Sequence, residues 1–581
     1  MTQEEISRRR FFEKKQSVII TLISTLVLST TTFPIIGFTN EQSSVPAAPP
    51  DGGGMGGADT MTYDYTGEMK GSLIADNQEI EANSEKQRSD GNDENTALVK
   101  NGGTLSLEKS TLEKAGASAN EDNSNFYGLN SILLAVNENS FAYLSNSQLT
   151  ANDKGSNGLF ATDSGTIYAN DNTIATESDN SRGMDATYGG TIITNKTSVN
   201  TNGDHSAALA TDRGGGNVSV TDSQLATQGS GSPLLYSTGD IEVSNVKGTA
   251  TGSQIAGMEG YNSIQIYNSK LISKLTGTTG SDPVANGVII YQSTSGDAEA
   301  STGETANFEA VNSTLKSATE GTMFYVTNTE ANIILKDNTL DFDSDKAALL
   351  TIQGNNANNW GTAGSNGGKV NFIGINQELS SKISVDSISS LNLVLTEETT
   401  YNGETEITAN EVNTAASETP ITVTIDKTSK WVMTADSQIT NLNLETGGEI
   451  VDEDGKSATI IADGETVVEG TGSTTLTVPG TYSTQTNLNE NNQLSEPSID
   501  RTDFDQHYHL STSFTNKSTA TKTNSTKNTA AEVTSSAVKN TATSEPAKQR
   551  NYPLWIAFGG VVIITGALVL KKMGKRTKRR H

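Results

Sequence analysis

One line of about 25 residues is rewritten through most of this chain. Residues 158–176 read GLFATDSGTIYANDNTIAT and residues 183–201 read GMDATYGGTIITNKTSVNT. A catalytic motif occurs once, because a site needs one nucleophile and one base, whereas a structural unit that cannot bury its own apolar face recurs. The recurrence therefore restricts the architecture before any chemistry is considered.

Two columns carry the repeat. The first is a small residue before an apolar one, at Ala97-Leu98, Gly128-Leu129, Gly158-Leu159, Gly183-Met184, Ala208-Leu209, Pro233-Leu234, Gly257-Met258, Gly287-Val288 and Ala348-Leu349, with Met323 in one further unit. The second is a polar pair two residues ahead of an aliphatic: Asn146-Ser147, Asp171-Asn172, Asp222-Ser223, Asn268-Ser269, Asn312-Ser313 and Asp337-Asn338. Asn and Asp tolerate left-handed backbone angles, so the second column predicts a turn stacked on itself. Between the columns lie short alternating runs such as Thr166-Ile167-Tyr168-Ala169 and Ser263-Ile264-Gln265-Ile266-Tyr267, the period of half-buried strands.

Such a unit lacks the Leu-x-x-Leu-x-Leu of leucine-rich repeats and is too short for a propeller blade, which needs about 40 residues. It predicts an all-β parallel β-helix, with inward aliphatics stacked coil on coil at roughly 4.8 Å. Coils are expected over residues 70–375 and closing coils over 376–485, a rod on the order of 60 to 70 Å long, with Trp431 packed inward. The pattern resembles the right-handed parallel β-helix surface proteins of bacteria, which share their fold with pectin lyases and many adhesins. That resemblance implies a right-handed rod that acts by binding, or one that carries a polysaccharide-active site.

Both ends suggest an address. Arg8, Arg9, Arg10, Lys14 and Lys15 precede an apolar run from Val18 to Leu28, the layout of a signal peptide, here assigned to residues 1–39. Ser7-Arg8-Arg9-Arg10-Phe11-Phe12 resembles the twin-arginine export consensus, so two export routes stay open. Residues 40–69 read as a flexible lead-in. Leu554 to Leu570 is charge-free and mostly apolar, and KKMGKRTKRRH follows it. One membrane helix over 553–570 is expected, with residues 571–581 as a cytoplasmic tail and everything before the span outside the cell. Residues 486–550 are rich in Ser, Thr, Asn and Lys and are expected to form a disordered stalk. The order of stalk, span and basic tail resembles the wall-anchoring end of Gram-positive surface proteins, although no Leu-Pro-x-Thr-Gly precedes the span.

Charge and composition exclude several classes of function. Between positions 16 and 570 the chain has 28 basic against 65 acidic residues, so phosphate backbones and anionic lipid surfaces are repelled. No cysteine is present among the 581 residues, which removes disulfides, thiolate nucleophiles and Cys-ligated zinc. Asp163 and Asp212 fall at nearly the same place in their coils and read as turn residues, since Tyr188 takes that place between them. Asp503, Asp505, His507 and His509 alternate as metal ligands would on an extended segment. Trp360, in the polar insertion NNANNWGTAGSNGG, is the candidate for stacking on a sugar or other ligand. The resulting expectation is a membrane-anchored, non-catalytic, adhesin-like surface rod with no cofactor, whose ligand is a glycan or a host or envelope protein. The alternatives are a polysaccharide lyase or glycosidase on the same rod, and a structural surface-layer component.

Overall fold

In the computed structural model, which describes residues 62–294, 298, 305–486, 488, 493–512 and 514, the repeated line is one coil of a β-helix solenoid. The opening stretch supplies the strands Leu159–Thr162, Thr166–Asn170 and Thr173–Thr176, one to each of three sheets. Each strand pairs in parallel with its counterpart in the next coil, at the register Leu159 with Met184, Ile167 with Ile192 and Ile174 with Val199. Continued along the rod, this gives a first sheet of 13 strands, a second of 15 and a third of 10. At about 4.8 Å per strand the second sheet runs roughly 65 Å. Beyond Asp341 the third side passes to a four-stranded sheet, and the end carries a small mixed sheet whose antiparallel pair is Thr459–Ala462 with Glu465–Val468.

The interior is a set of aliphatic columns. In the second sheet Ile167, Ile192, Val218, Ile241, Ile264, Phe308, Ile333, Phe372, Leu393 and Val423 stack in register, and each is fully buried. A buried side chain of this kind contributes roughly 1.5–3 kcal/mol, and repetition along the rod replaces the cross-links that the sequence lacks. Trp431 packs inward as expected, its Nε1 donating to the Gly403 carbonyl at 2.8 Å and its ring centroid 5.5 Å from that of Tyr401.

The polar column is a hydrogen-bonded ladder. Asn146, Asp171, Asp222, Asn268, Asn312 and Asp337 all have φ between 49° and 61°. The residue after each one accepts from the backbone of the coil before it: Ser110 N–H donates to Ser147 Oγ at 2.9 Å, Ser147 N–H to Asn172 Oδ1 at 2.9 Å and Ser313 N–H to Asn338 Oδ1 at 2.9 Å. Lys109, Lys196, Asn245 and Asn376 occupy the same left-handed position. Lysine is not a turn former, so these two corners have no signature in the sequence.

The first column departs from the sequence reading in register. The paired positions are Ala97, Leu133, Leu159, Met184, Leu209, Leu235, Ala256, Val288, Phe324 and Leu350. Leu234, Met258, Met323 and Leu349 are buried in the same core at neighbouring positions. Leu98 and Leu129 belong to a separate outer cluster with Leu134 and Phe160, against which Tyr63, Tyr65 and Tyr127 pack. Where both faces of a strand are covered, alternation no longer tells inside from outside. A short inserted helix, Glu121–Tyr127, lengthens the early spacing; Asn120 caps it by accepting from Asn123 N–H at 3.1 Å, and Gly128 ends it at φ 72°.

The expected stalk begins differently from the reading of 486–550 as disordered. Residues 493–512 lie along the outer face of the second sheet and include a helix, Thr502–Tyr508. They follow one outward column whose residues change from coil to coil: Tyr143, Tyr168, Ile193, Ser219, Glu242, Gln265, Glu309, Ile334 and Ile373. Ser495 N–H donates to Glu309 and Ser498 N–H to Glu242, at 3.0 and 2.6 Å. The buried Arg501 guanidinium donates to the Ser219 and Thr194 carbonyls, each at 3.0 Å, and to Thr512 Oγ1 at 2.9 Å. Phe504 is fully buried against Tyr168 and Ile193. Few apolar residues are enough here because each one meets a prepared partner. The expected signal segment, residues 40–61 of the expected lead-in, the remainder of the expected stalk, the apolar run 553–570 and the basic tail lie outside the described residues. No helix among the described residues is long and apolar enough to cross a membrane.

Candidate functional site

The outward face of the first sheet is where the repeat is broken. One column on it reads Leu134, Phe160, Asp185, Ala210, Tyr236, Gly257, Ile289 and Tyr325 from coil to coil. Its two ends are apolar and covered, by the tyrosine cluster at one end and by Trp360 at the other. Between them stand Asp185, Ala210, Tyr236 and Gly257, and beside these opens a cleft of about 380 Å³, lined among others by Phe126, Arg182, His205, Asp212, Tyr236, Glu259, Asp282, Tyr291 and Trp360.

Arg182 organises the floor. It lies directly after a ladder in which Ser156 and Ser181 N–H groups donate to the Ser181 and Ser206 hydroxyls, each at 2.9 Å, and its own N–H donates to Asn157 Oδ1 at 2.8 Å. Its guanidinium donates to Asp212 Oδ2 at 2.9 Å and to Asn125 Oδ1 at 2.8 Å, and its Nε is 3.4 Å from Asp185 Oδ2. Asp185 is fully buried. Burial holds its carboxyl well above the usual carboxylate range, the charge of Asp212 adds to that, and Arg182 opposes it. The Arg213 guanidinium lies 3.8 Å over the ring of Phe126, so the inserted helix is tied to the floor by both arginines. Asp163 keeps the expected turn role, with φ 48°. Asp212 also opens a turn, its carbonyl accepting from Gly215 N–H at 3.1 Å and its Oδ1 from Arg213 N–H at 2.9 Å, and it is in addition a buried ion-pair partner of Arg182, 30 residues away.

The far wall combines rings with carboxyls. Glu259, almost fully buried, accepts from Tyr236 Oη at 3.2 Å and from Ser293 N–H at 3.2 Å. Asp282 accepts from Asn286 Nδ2 at 2.8 Å, and burial pushes its carboxyl up to about 7. Trp360 borders this wall but does not present a face to solvent. It is 4% exposed, with its ring centroid 4.5 Å from that of Tyr291 and its side chain packed with Ile289 and Tyr325. Asn366, itself buried, fixes the loop by donating to the Trp360 carbonyl at 2.9 Å. The polar insertion thus uses its tryptophan to cover the rod, and the stacking platform expected of Trp360 becomes a wall.

The four ligand-like residues near the C-terminal end do not converge. Asp503, Asp505 and His507 are helical, and His509 ends the helix at φ 55°. Residues two apart on a helix point in different directions, so the extended spacing that would gather them is lost. Asp505 accepts from Thr512 N–H and Oγ1 at 2.8 and 2.6 Å, and His507 stacks on Tyr143 at 4.0 Å. No group of three or more His, Cys, Asp or Glu residues among the described residues could hold a metal ion. A second groove, of about 540 Å³ on the second sheet, is lined by Asn332, Asn371, Asn392 and neighbouring threonines and contains no aromatic ring.

Sequence reading missed Arg182, Tyr236, Glu259 and Asp282. Departure from the column was a signal for Tyr236 alone, which stands in the line of Phe160 and Ile289 between Ala210 and Gly257; Arg182, Glu259 and Asp282 lie outside that column. No family model matches the chain, and no curated protein sequence matches it.

Proposed function

We propose that this chain is a bacterial cell-surface rod of the right-handed, pectin-lyase-like kind that binds an extended ligand in the cleft on its first sheet, adhesin-like and without catalysis. The observation that carries this reading is the change of one outward column from apolar to Asp185, Ala210 and Tyr236 and back to apolar. The second sheet makes a similar change, from Ile193 to Ser219 and Glu242 and back to Ile334, and there the chain's own residues 493–512 cover it, whereas the change on the first sheet lies beside an open cleft. Right-handedness follows the general preference of parallel crossover connections. Display outside the cell rests on the basic and apolar order of the two ends. The arginine floor and the aromatic wall span about five coils, roughly 24 Å, long enough for several units of a linear polymer.

The test is a glycan-array and envelope-component screen of the full chain, followed by the same screen on Tyr236→Ala. Specific retention lost in the variant supports binding in the cleft, and retention unchanged in the variant removes the cleft from the account. Acid/base chemistry on a polysaccharide is the second reading, favoured by the Asp282 carboxyl at about 7 on the cleft wall. Release of reducing or unsaturated sugar that disappears in Asp282→Asn would establish it.

A further inference from the structure

The cleft's chemistry narrows its ligand. Arg182 is the cationic residue in its lining, set against the carboxyls of Asp212, Glu259 and Asp282. The Arg182 guanidinium is already shared between Asp212 and the buried Asp185. A uronate or phosphate entering the cleft would have to displace one of these carboxyls, and the rod around it is strongly acidic. On the far wall, three rings stand beside two carboxyls: Tyr291 lies 4.5 Å from Trp360, Tyr236 Oη lies 3.2 Å from Glu259, and Asp282 completes the group. Trp360 is buried behind Tyr291, so the rings that border the hollow are the half-buried Tyr236 and Tyr291, and such rings beside carboxylates suit a cation that is large and weakly hydrated. A small inorganic cation would need several oxygen or imidazole ligands converging on one point, and no such group is present among the described residues.

We propose that the wall formed by Tyr236, Glu259, Asp282 and Tyr291, with Trp360 packed behind it, recognises an organic ammonium group, carried on the polymer that the cleft binds. This rests on the reading of the cleft as a ligand site and adds the chemical class of the ligand.

Calorimetric titration of the full chain tests this with four probes: choline, a fully de-N-acetylated glucosamine tetramer, its N-acetylated counterpart and tetragalacturonate. The amine-bearing tetramer should bind about tenfold or more tightly than the N-acetylated one, a difference of roughly 1.4 kcal/mol. Glu259→Gln and, separately, Asp282→Asn should remove most of that preference; the second variant keeps the test open if the first fails to fold. Added salt should weaken the amine tetramer more than the acetylated one. Competition by choline would assign recognition to the ammonium group alone, and its absence, with the tetramer preference intact, to an amine held on a sugar. Equal binding of both glucosamine tetramers, or tighter binding of tetragalacturonate, overturns the ammonium assignment and leaves the cleft as a glycan site. Failure of all four probes overturns the ammonium assignment, and the array screen then decides separately on the cleft.

Discussion

At the residue scale, the molecule is governed by a few charged groups placed where a repeat has no use for them. Arg182 compensates Asp185 and Asp212 in a largely dry setting. Removing one partner from such a group costs about 3–5 kcal/mol, because the other is left buried without compensation. Arg182→Ala should therefore lower the denaturation midpoint clearly, while Lys316→Ala, on an exposed pair with Asp341, should change stability by less than about 1 kcal/mol; equal effects in chemical denaturation would refute the assignment. Asp282 makes a prediction about pH. Its folded carboxyl is raised to about 7 from the ordinary 3.8, so between those values the folded state holds a proton that the unfolded state has released. Stability from this group falls as pH rises through that window. Asp282→Asn should thus gain stability relative to the parent chain between pH 5 and pH 8, read from melting temperatures at the two values. A constant difference would place the carboxyl in water.

At the element scale, the most informative piece is residues 493–512. Composition alone assigned them to disorder, because Leu494, Ile499, Phe504, Tyr508 and Leu510 are thinly spread among polar residues. What holds them is a column distant in sequence: Tyr508 meets Leu144 and Tyr168, and Arg501 meets Ser219. Single-residue composition cannot show such complementarity, although four aromatic or histidine side chains between 504 and 509 were a visible hint. The turn ladder was the opposite case, since Asn and Asp at left-handed positions are chemically required there, and six of its corners could be read from the sequence. Phe504→Ala should free this segment while leaving the coils intact. Limited proteolysis should then cut between residues 493 and 512, with the strand signal of circular dichroism retained. Resistance equal to that of the parent chain would show that Phe504 is not what holds the segment.

At the scale of the whole molecule, the architecture was legible because it is repetitive, and the cleft was not because it is singular. Each coil repeats one solution to the problem of burying an apolar face, so a column of aliphatic residues announces itself many times. Asp185, Tyr236 and Glu259 occur once each, and their juxtaposition depends on a register that the sequence reading placed one or two residues away in several coils. Solenoids tend to lose cooperativity with length. The docked segment ties coils from Tyr143 to Ile373 together, so deleting residues 493–514 should broaden the denaturant transition or split it in two. A transition of unchanged steepness would show that the coils already unfold as one unit.

The central claim is that recognition lies where the first sheet breaks its repeat, and not on the regular faces. Glycan-array binding by the full chain tests it most directly when Tyr236→Ala and Glu259→Gln are compared with Gln224→Ala and Lys247→Ala, which lie on the third sheet, all four showing the parent circular dichroism spectrum. Recognition in the cleft requires that the first pair lose the signal and the second pair keep it. Loss confined to the third-sheet variants would contradict the account.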